Sequence, residues 1–142
     1  MKTNSFRLTA VSFVLLSMVL ASSPATFAHE PLDNVSEVFN RQIPNIPGKS
    51  LIAVQVDYAP GETTPAHRHD SSSFIMAYVV KGAIRSQVDD EPVRVYHAGE
   101  TWFENPGAHH VVSENASDTE PARVLAVFVA DANHGPLTTI ED

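Results

Sequence analysis

Apolar and polar residues alternate through most of the chain after residue 50. The segments LIAVQVDY (51–58) and AIRSQVD (83–89) alternate with a period of two, which is typical of β-strands with one buried face. The segment FIMAYVV (74–80) is continuously apolar instead. Its β-branched and aromatic residues, and the Lys81-Gly82 turn that follows, predict a strand buried on both faces.

Short turns separate these segments from further strand-like stretches. Turn-forming residues such as Pro60-Gly61 and Asn105-Pro106-Gly107 punctuate the chain. Additional strands are expected at 93–96, 101–104, 109–114 and 123–130. Turns every 8–12 residues and the lack of an amphipathic helix predict an all-β fold, either a sandwich or a barrel.

The first 28 residues have the layout of a secretory signal peptide. Lys2 and Arg7 give a positive start, residues 8–21 form an apolar core, and small residues precede His29. The core is shorter than the roughly 20 residues of a membrane span, although an uncleaved anchor is the alternative. We expect cleavage after Ala28, a periplasmic or secreted location, and no membrane association after cleavage.

The predicted organisation is a single folded domain with flanking segments. Residues 1–28 form the signal peptide and residues 29–50 an N-terminal arm with one strand. Residues 51–130 form the barrel, and residues 131–142 a C-terminal tail without a clear pattern.

Composition excludes several classes of function. The net charge of -8 falls to about -10 once Lys2 and Arg7 are removed, which disfavours binding to nucleic acid. The chain has no cysteine, so disulfides, thiolate metal sites and cysteine nucleophiles are excluded. No Gly-x-Ser-x-Gly sequence occurs, which leaves no case for a serine hydrolase.

The pair His67 and His69 is the first candidate for chemistry. Residues i and i+2 of a strand point to the same face, so both imidazoles can reach one metal ion if this segment is extended. A His-x-His pair alone is weak evidence. The surrounding residues carry more information.

The frame around this pair resembles the two conserved motifs of the cupin family. The residues that match the first motif are Gly61, His67, His69 and Gly82, and those that match the second are Gly99, Gly107 and His110. The resemblance covers roughly residues 50–130. It implies a jelly-roll β-barrel, also called a double-stranded β-helix, with a metal at its mouth held by His67, His69 and His110. It also implies a homodimer, because cupins commonly pair through their outer strands.

The chain departs from the cupin pattern at the glutamate of the first motif. Ser73 or Phe74 lies nearest the expected position, and neither is a strong metal ligand. Asp70 adjoins His69 and is expected to face away from it on an extended strand. Smaller departures are Asn105 in place of a proline and a longer spacing from His110 to Asn115. We therefore predict an all-imidazole metal site.

The remaining histidines are weaker candidates. His109 adjoins His110 and is expected to point to the opposite face of its strand. His97 begins a turn, and His134 lies in the tail. His29 would become the N-terminal residue after cleavage, where its amine and imidazole could chelate copper.

Aromatic and polar residues near the motifs add little evidence about the function. We expect Phe74, Tyr78, Trp102 and Phe128 to lie in the barrel core, with Tyr78 and Trp102 able to line its mouth. Ser73 and Gln87 could present polar groups to a ligand.

Three imidazoles would leave ligand positions open for water or substrate, as in catalytic sites. They suit a divalent transition metal such as Fe, Mn, Ni, Cu or Zn, and they leave its full positive charge in place to attract an anion. The leading hypothesis is an exported metal-binding cupin that acts on or binds a small molecule, with a dioxygenase-type enzyme as one form of it. The alternatives are a non-enzymatic periplasmic protein that binds or senses a metal or metabolite, and a metal-free barrel used for protein contacts.

Overall fold

The computed structural model describes residues 34–141, which form eleven β-strands and no helix. The strands are β1 (Val35–Gln42), β2 (Lys49–Tyr58), β3 (Thr63–Thr64), β4 (His67–His69), β5 (Phe74–Lys81), β6 (Ala83–Val88), β7 (Arg94–His97), β8 (Thr101–Glu104), β9 (His109–Asn115), β10 (Ala122–Asp131) and β11 (Thr138–Ile140). The predicted all-β fold is confirmed.

The strands form two antiparallel sheets. The five-stranded sheet has the order β1-β2-β10-β5-β8. The six-stranded sheet has the order β11-β4-β9-β6-β7, and β3 pairs with β9 beside this path. Most neighbouring strands are distant in sequence, so the fold depends on long-range pairing, as in other jelly rolls.

The core lies between the inner faces of the two sheets. One cluster contains Tyr58, Val79, Ile84 and Trp102, and a second contains Ile52, Ile75 and Phe128. Burial of Trp102 and Phe128 agrees with their expected place in the core.

Strand β5 differs from its prediction. Ile75, Ala77 and Val79 are buried, whereas Phe74 and Tyr78 are 44% and 38% exposed. The prediction that 74–80 is buried on both faces, and that Phe74 and Tyr78 belong to the core, is therefore wrong. The physical reason is that within residues 34–141 nothing covers the outer face of the five-stranded sheet, so only alternate residues of β5 face the core.

Both ends of the described chain add strands to the sheets. Strand β1 lies in the segment expected to form an arm and pairs with β2. Strand β11 lies in the segment expected to form a tail, and it pairs with β4, which carries His67 and His69. The sheets thus extend beyond residues 51–130.

The predicted signal peptide, its cleavage site and His29 lie outside the described residues. From Asn34 to Glu141, no helix is long and apolar enough to cross a membrane.

Candidate metal centre

Strand register brings the three motif histidines together. His67 and His69 lie two residues apart on β4 and share a face. His110 of β9 is the direct cross-strand partner of His67, so its side chain lies on that same face. One ring nitrogen from each histidine can be chosen so that all three lie within 4.8 Å of one another, and all three imidazole side chains are buried.

Backbone carbonyls orient two of the three rings. His67 Nδ1 lies 2.8 Å from the Pro65 carbonyl oxygen, and His69 Nδ1 lies 3.1 Å from that of Leu137. A carbonyl can only accept, so each Nδ1 carries the proton and donates it. The Nε2 lone pairs of both rings are therefore free to bind a metal, the arrangement that carbonyl partners commonly impose on metal-binding histidines.

Burial keeps two imidazoles neutral. It lowers the pKa of His67 below its ordinary value of 6.5, and it lowers the pKa of His110 to about 4 despite the nearby Glu104 carboxylate. Only the neutral imidazole has a lone pair for a metal, so these two groups are ready to bind at neutral pH. His110 Nε2 also lies 2.8 Å from the hydroxyl of the buried Ser86.

A buried glutamate from the opposite sheet contacts this cluster. Glu104 of β8 is 3% exposed, and its Oε2 lies 3.1 Å from His69 Nε2 while its Oε1 lies 3.4 Å from His110 Nδ1. The indole N–H of Trp102 donates to Oε1 at 3.0 Å. Burial raises the pKa of Glu104, but His69 and His110 lower it by more, to about 2, so the carboxylate is charged.

Glu104 is not among the residues predicted from the sequence, which form an all-imidazole cluster. The local signal was the alternation in TWFE (101–104), which places Trp102 and Glu104 on the inner face of β8 and Phe103 on the outer face. The expected glutamate position does not supply a ligand. Ser73 is buried and Phe74 points outward.

The secondary candidates lie away from the cluster. His109 contacts Glu141 at 2.8 Å, His97 is exposed at the end of β7, and His134 is half-buried in the loop before β11. The Asp70 carboxylate accepts hydrogen bonds from the backbone N–H and hydroxyl of Ser72. Gln87 is half-buried on β6.

A cleft of about 380 Å³ is lined by residues that contact the cluster, although neither the three histidines nor Glu104 lines it. Its walls include Ser86, which contacts His110, and Trp102, which contacts Glu104. Arg94 also lines it, and because Arg94 is the cross-strand partner of Ser86, both side chains lie on the same face. A small molecule in this cleft would contact the Arg94 guanidinium and would be separated from the histidine cluster by Ser86 and Trp102.

A family model described as "Cupin domain" matches residues 54–128, more than half of the chain. The chain is a cupin. This match agrees with the two antiparallel sheets and with the positions of both histidine motifs. A search of curated proteins finds no match for this cupin.

Solved structures share the fold. A Klebsiella pneumoniae uncharacterized conserved protein with a double-stranded β-helix domain has 20% identity and a TM-score of 0.58, with 80% of this chain and 90% of that chain covered. The DMSP lyase DddQ from Ruegeria pomeroyi has 19% identity and a TM-score of 0.54, with 63% and 42% covered. This cupin thus spans less than half of the lyase.

An oxalate oxidase in complex with the substrate analogue glycolate is also similar. It has 25% identity and a TM-score of 0.52, with 82% of this chain and 61% of that chain covered.

Proposed function

We propose that this cupin is an exported metal-binding protein in which His67, His69 and His110 hold a divalent transition metal, and that it acts on a small carboxylate. The observation that carries the proposal is the convergence of three buried imidazoles on one face of β4 and β9. Three nitrogen donors with free positions are typical of catalytic metal sites.

The donor set fits Fe, Mn, Ni, Cu or Zn, and affinity alone does not distinguish these ions. When bound, the metal would supply Lewis-acid chemistry to an oxygen-bearing ligand. The residues of the chain orient the donors. The Pro65 and Leu137 carbonyls fix two of the rings, and the apolar Phe128 ring packs edge-on against His69 at 5.6 Å.

The charge of the metal centre supports a small anion as the ligand. A divalent ion leaves the centre positive, and Arg94 adds a guanidinium on the cleft wall, although Asp89 and Glu91 line the same cleft. The likeness to an oxalate oxidase bound to glycolate supports small carboxylic acids as the first compounds to test.

Metal content after purification tests the centre. We expect about one equivalent of a divalent metal by elemental analysis, and its loss in His110→Ala. His109→Ala is the matched control, because its ring points away from the cluster. Unchanged metal content in His110→Ala would refute the three-histidine centre.

Turnover assays distinguish an enzyme from a binding protein. Oxygen uptake and product formation would be followed with small carboxylic acids, catechols and thiols. Consumption of one compound by the metal-loaded protein, absent in His110→Ala, supports the enzyme. Compounds that shift the spectrum of the bound metal without being consumed favour the alternative of a binding or sensing protein.

We also propose a periplasmic or secreted location, supported by the layout of residues 1–28. Fractionation of expressing cells, with mass determination of the mature N-terminus, tests it. Accumulation of the full-length chain in the cytoplasm would contradict it.

A homodimer through the outer face of the five-stranded sheet is the proposed assembly. Phe74, Met76, Tyr78 and Phe103 form an exposed apolar strip there, and the Phe74 and Phe103 rings stack at 6.0 Å. Analytical ultracentrifugation should show a dimer that Phe103→Glu disrupts. Val93→Glu is the control, because Val93 is similarly exposed but precedes β7 of the other sheet. A monomeric wild type would contradict the proposal.

A further inference from the structure

Glu104 has an unsatisfied oxygen that faces the histidine cluster. Its Oε1 accepts the hydrogen bond from Trp102, whereas Oε2 is buried without a hydrogen-bond partner in the described part of the chain. An unpaired buried carboxylate oxygen is costly, so a native structure that keeps one needs a reason.

The tautomer of His69 makes the unpaired oxygen of Glu104 harder to explain. Its Nδ1 faces the Leu137 carbonyl and must donate a proton, which leaves a lone pair on Nε2 in the neutral ring. That lone pair faces Glu104 Oε2 at 3.1 Å. Two acceptors this close repel each other in a buried site unless a cation lies between them, either a proton on Nε2 or a metal ion.

The distances match those of donors that share a metal ion. Two donors that each lie about 2.1 Å from a metal are about 3.0 to 3.4 Å apart for angles between octahedral and tetrahedral values. Glu104 Oε2 lies 3.1 Å from His69 Nε2, and Glu104 Oε1 lies 3.4 Å from His110 Nδ1. Oε2 therefore lies at ligand distance from His69 Nε2. The donor atoms that lie within 4.8 Å of one another belong to the three histidines alone, so Glu104 has to shift toward them to share their ion.

Strand pairing explains how β8 can supply this group. Glu104 is the cross-strand partner of Ile75, which lies two residues after Ser73, the position nearest the missing glutamate of the first motif. A side chain on β8 can thus place its carboxylate in the region where the first-motif glutamate would otherwise lie.

We propose that Glu104 is the fourth protein ligand of the metal, through Oε2, and that Trp102 positions its carboxylate. This inference rests on the proposed metal centre. The first-motif carboxylate is thereby replaced by one from the neighbouring strand. A site with three imidazoles and one carboxylate has a net charge near +1 with a divalent ion, and an octahedral ion keeps two positions open for a bidentate small acid.

Zinc binding by the full-length protein, prepared free of metal, tests this role. Binding would be measured by competition with a chromogenic chelator and by fluorescence of Trp102, the single tryptophan of the chain. We expect the Kd of Glu104→Gln to rise by more than about 100-fold, beyond the 10- to 100-fold typical of residues that act through a ligand. Glu120→Gln, in an exposed loop, is the matched control and should leave the Kd unchanged. A change of less than about tenfold in Glu104→Gln overturns the proposal.

A second measurement needs no variant. In zinc-soaked crystals of the wild type we expect anomalous density with a Glu104 oxygen about 2.0–2.2 Å from the ion. A carboxylate that stays beyond about 3 Å overturns direct ligation, even if affinity falls in Glu104→Gln. If the wild type takes up no zinc in either experiment, the proposed metal centre fails together with this inference. If the wild type binds zinc and Glu104→Gln binds it equally well, only the role of Glu104 fails.

Discussion

Substitution of Gly82 by alanine should destabilise this cupin through two separable costs. Gly82 joins β5 of one sheet to β6 of the other, and its φ is +73°. An alanine with positive φ costs about 1–2 kcal/mol. Its Cβ would also lie 2.8 Å from the Pro121 carbonyl oxygen and 2.9 Å from both Cα and Cβ of Ala122. Backbone atoms can move only at a high energetic cost, so overpacking adds about 1–3 kcal/mol to the destabilisation.

Gly99→Ala carries only the first cost and serves as the reference variant. Gly99 also matches a cupin motif and has a φ of +93°, but nothing lies within 4 Å of a Cβ built there. The free energy of unfolding of Gly99→Ala should therefore fall only by the conformational cost of about 1–2 kcal/mol. The difference between the two variants, about 1–3 kcal/mol, measures the clash of Gly82→Ala against the start of β10.

Urea unfolding followed by Trp102 fluorescence provides the assay, with EDTA present so that metal affinity does not contribute. With an m-value of about 1–3 kcal/mol/M, the midpoint of Gly82→Ala should lie roughly 1 M below that of Gly99→Ala. Losses that agree within about 0.5 kcal/mol would refute the steric argument. They would show that the chain around Pro121 adjusts without strain.

Three further predictions concern alkaline pH, metal removal and ligand charge. Burial raises the pKa of Tyr58 above its ordinary value of 10.0, despite hydrogen bonds with Ser113 and Thr64. The folded state therefore holds its proton where the unfolded state loses it, so stability falls above about pH 10 by up to about 1.4 kcal/mol per pH unit. Urea midpoints at about pH 9 and 11 should show a smaller loss in Tyr58→Phe than in the exposed control Tyr78→Phe, and equal losses would contradict this. Removal of metal by EDTA should lower the thermal midpoint, because an ion present at 100 times its Kd stabilises the fold by about 2.7 kcal/mol. Excess zinc should restore the midpoint, and no shift in either direction would count against the metal centre. Arg94→Gln should weaken the binding of glycolate or oxalate to the metal-loaded protein by about tenfold, as measured by calorimetry, and should leave metal affinity unchanged. If the variant binds these acids as tightly as the wild type, Arg94 does not contribute to ligand recognition.

Local patterns in the sequence were sufficient for the all-β fold. Period-two alternation is set by the pleat of each strand, so 51–58 and 83–89 show their inner faces without knowledge of their neighbours. The His-x-His pair could likewise be placed on one face of an extended segment, and the cupin motifs supplied His110 as its companion.

Tertiary structure decided what depends on neighbours in space. The continuous apolar run of β5 could not reveal that its outer face stays exposed, because that depends on which layer covers the sheet. The position of β11 beside β4, which orients His69 through the Leu137 carbonyl, likewise has no signal in the residues of the tail.

Glu104 is the clearest case of this division. Alternation within 101–104 determines that its side chain shares a face with Trp102, and this much is readable from the sequence. Its approach to His69, thirty-five residues earlier in the chain, depends on the packing of one sheet against the other. The sequence by itself thus determined three imidazoles and a strand framework. Only the packing of the two sheets decided that a carboxylate contacts the cluster, because contacts across a barrel leave no local periodicity in the sequence.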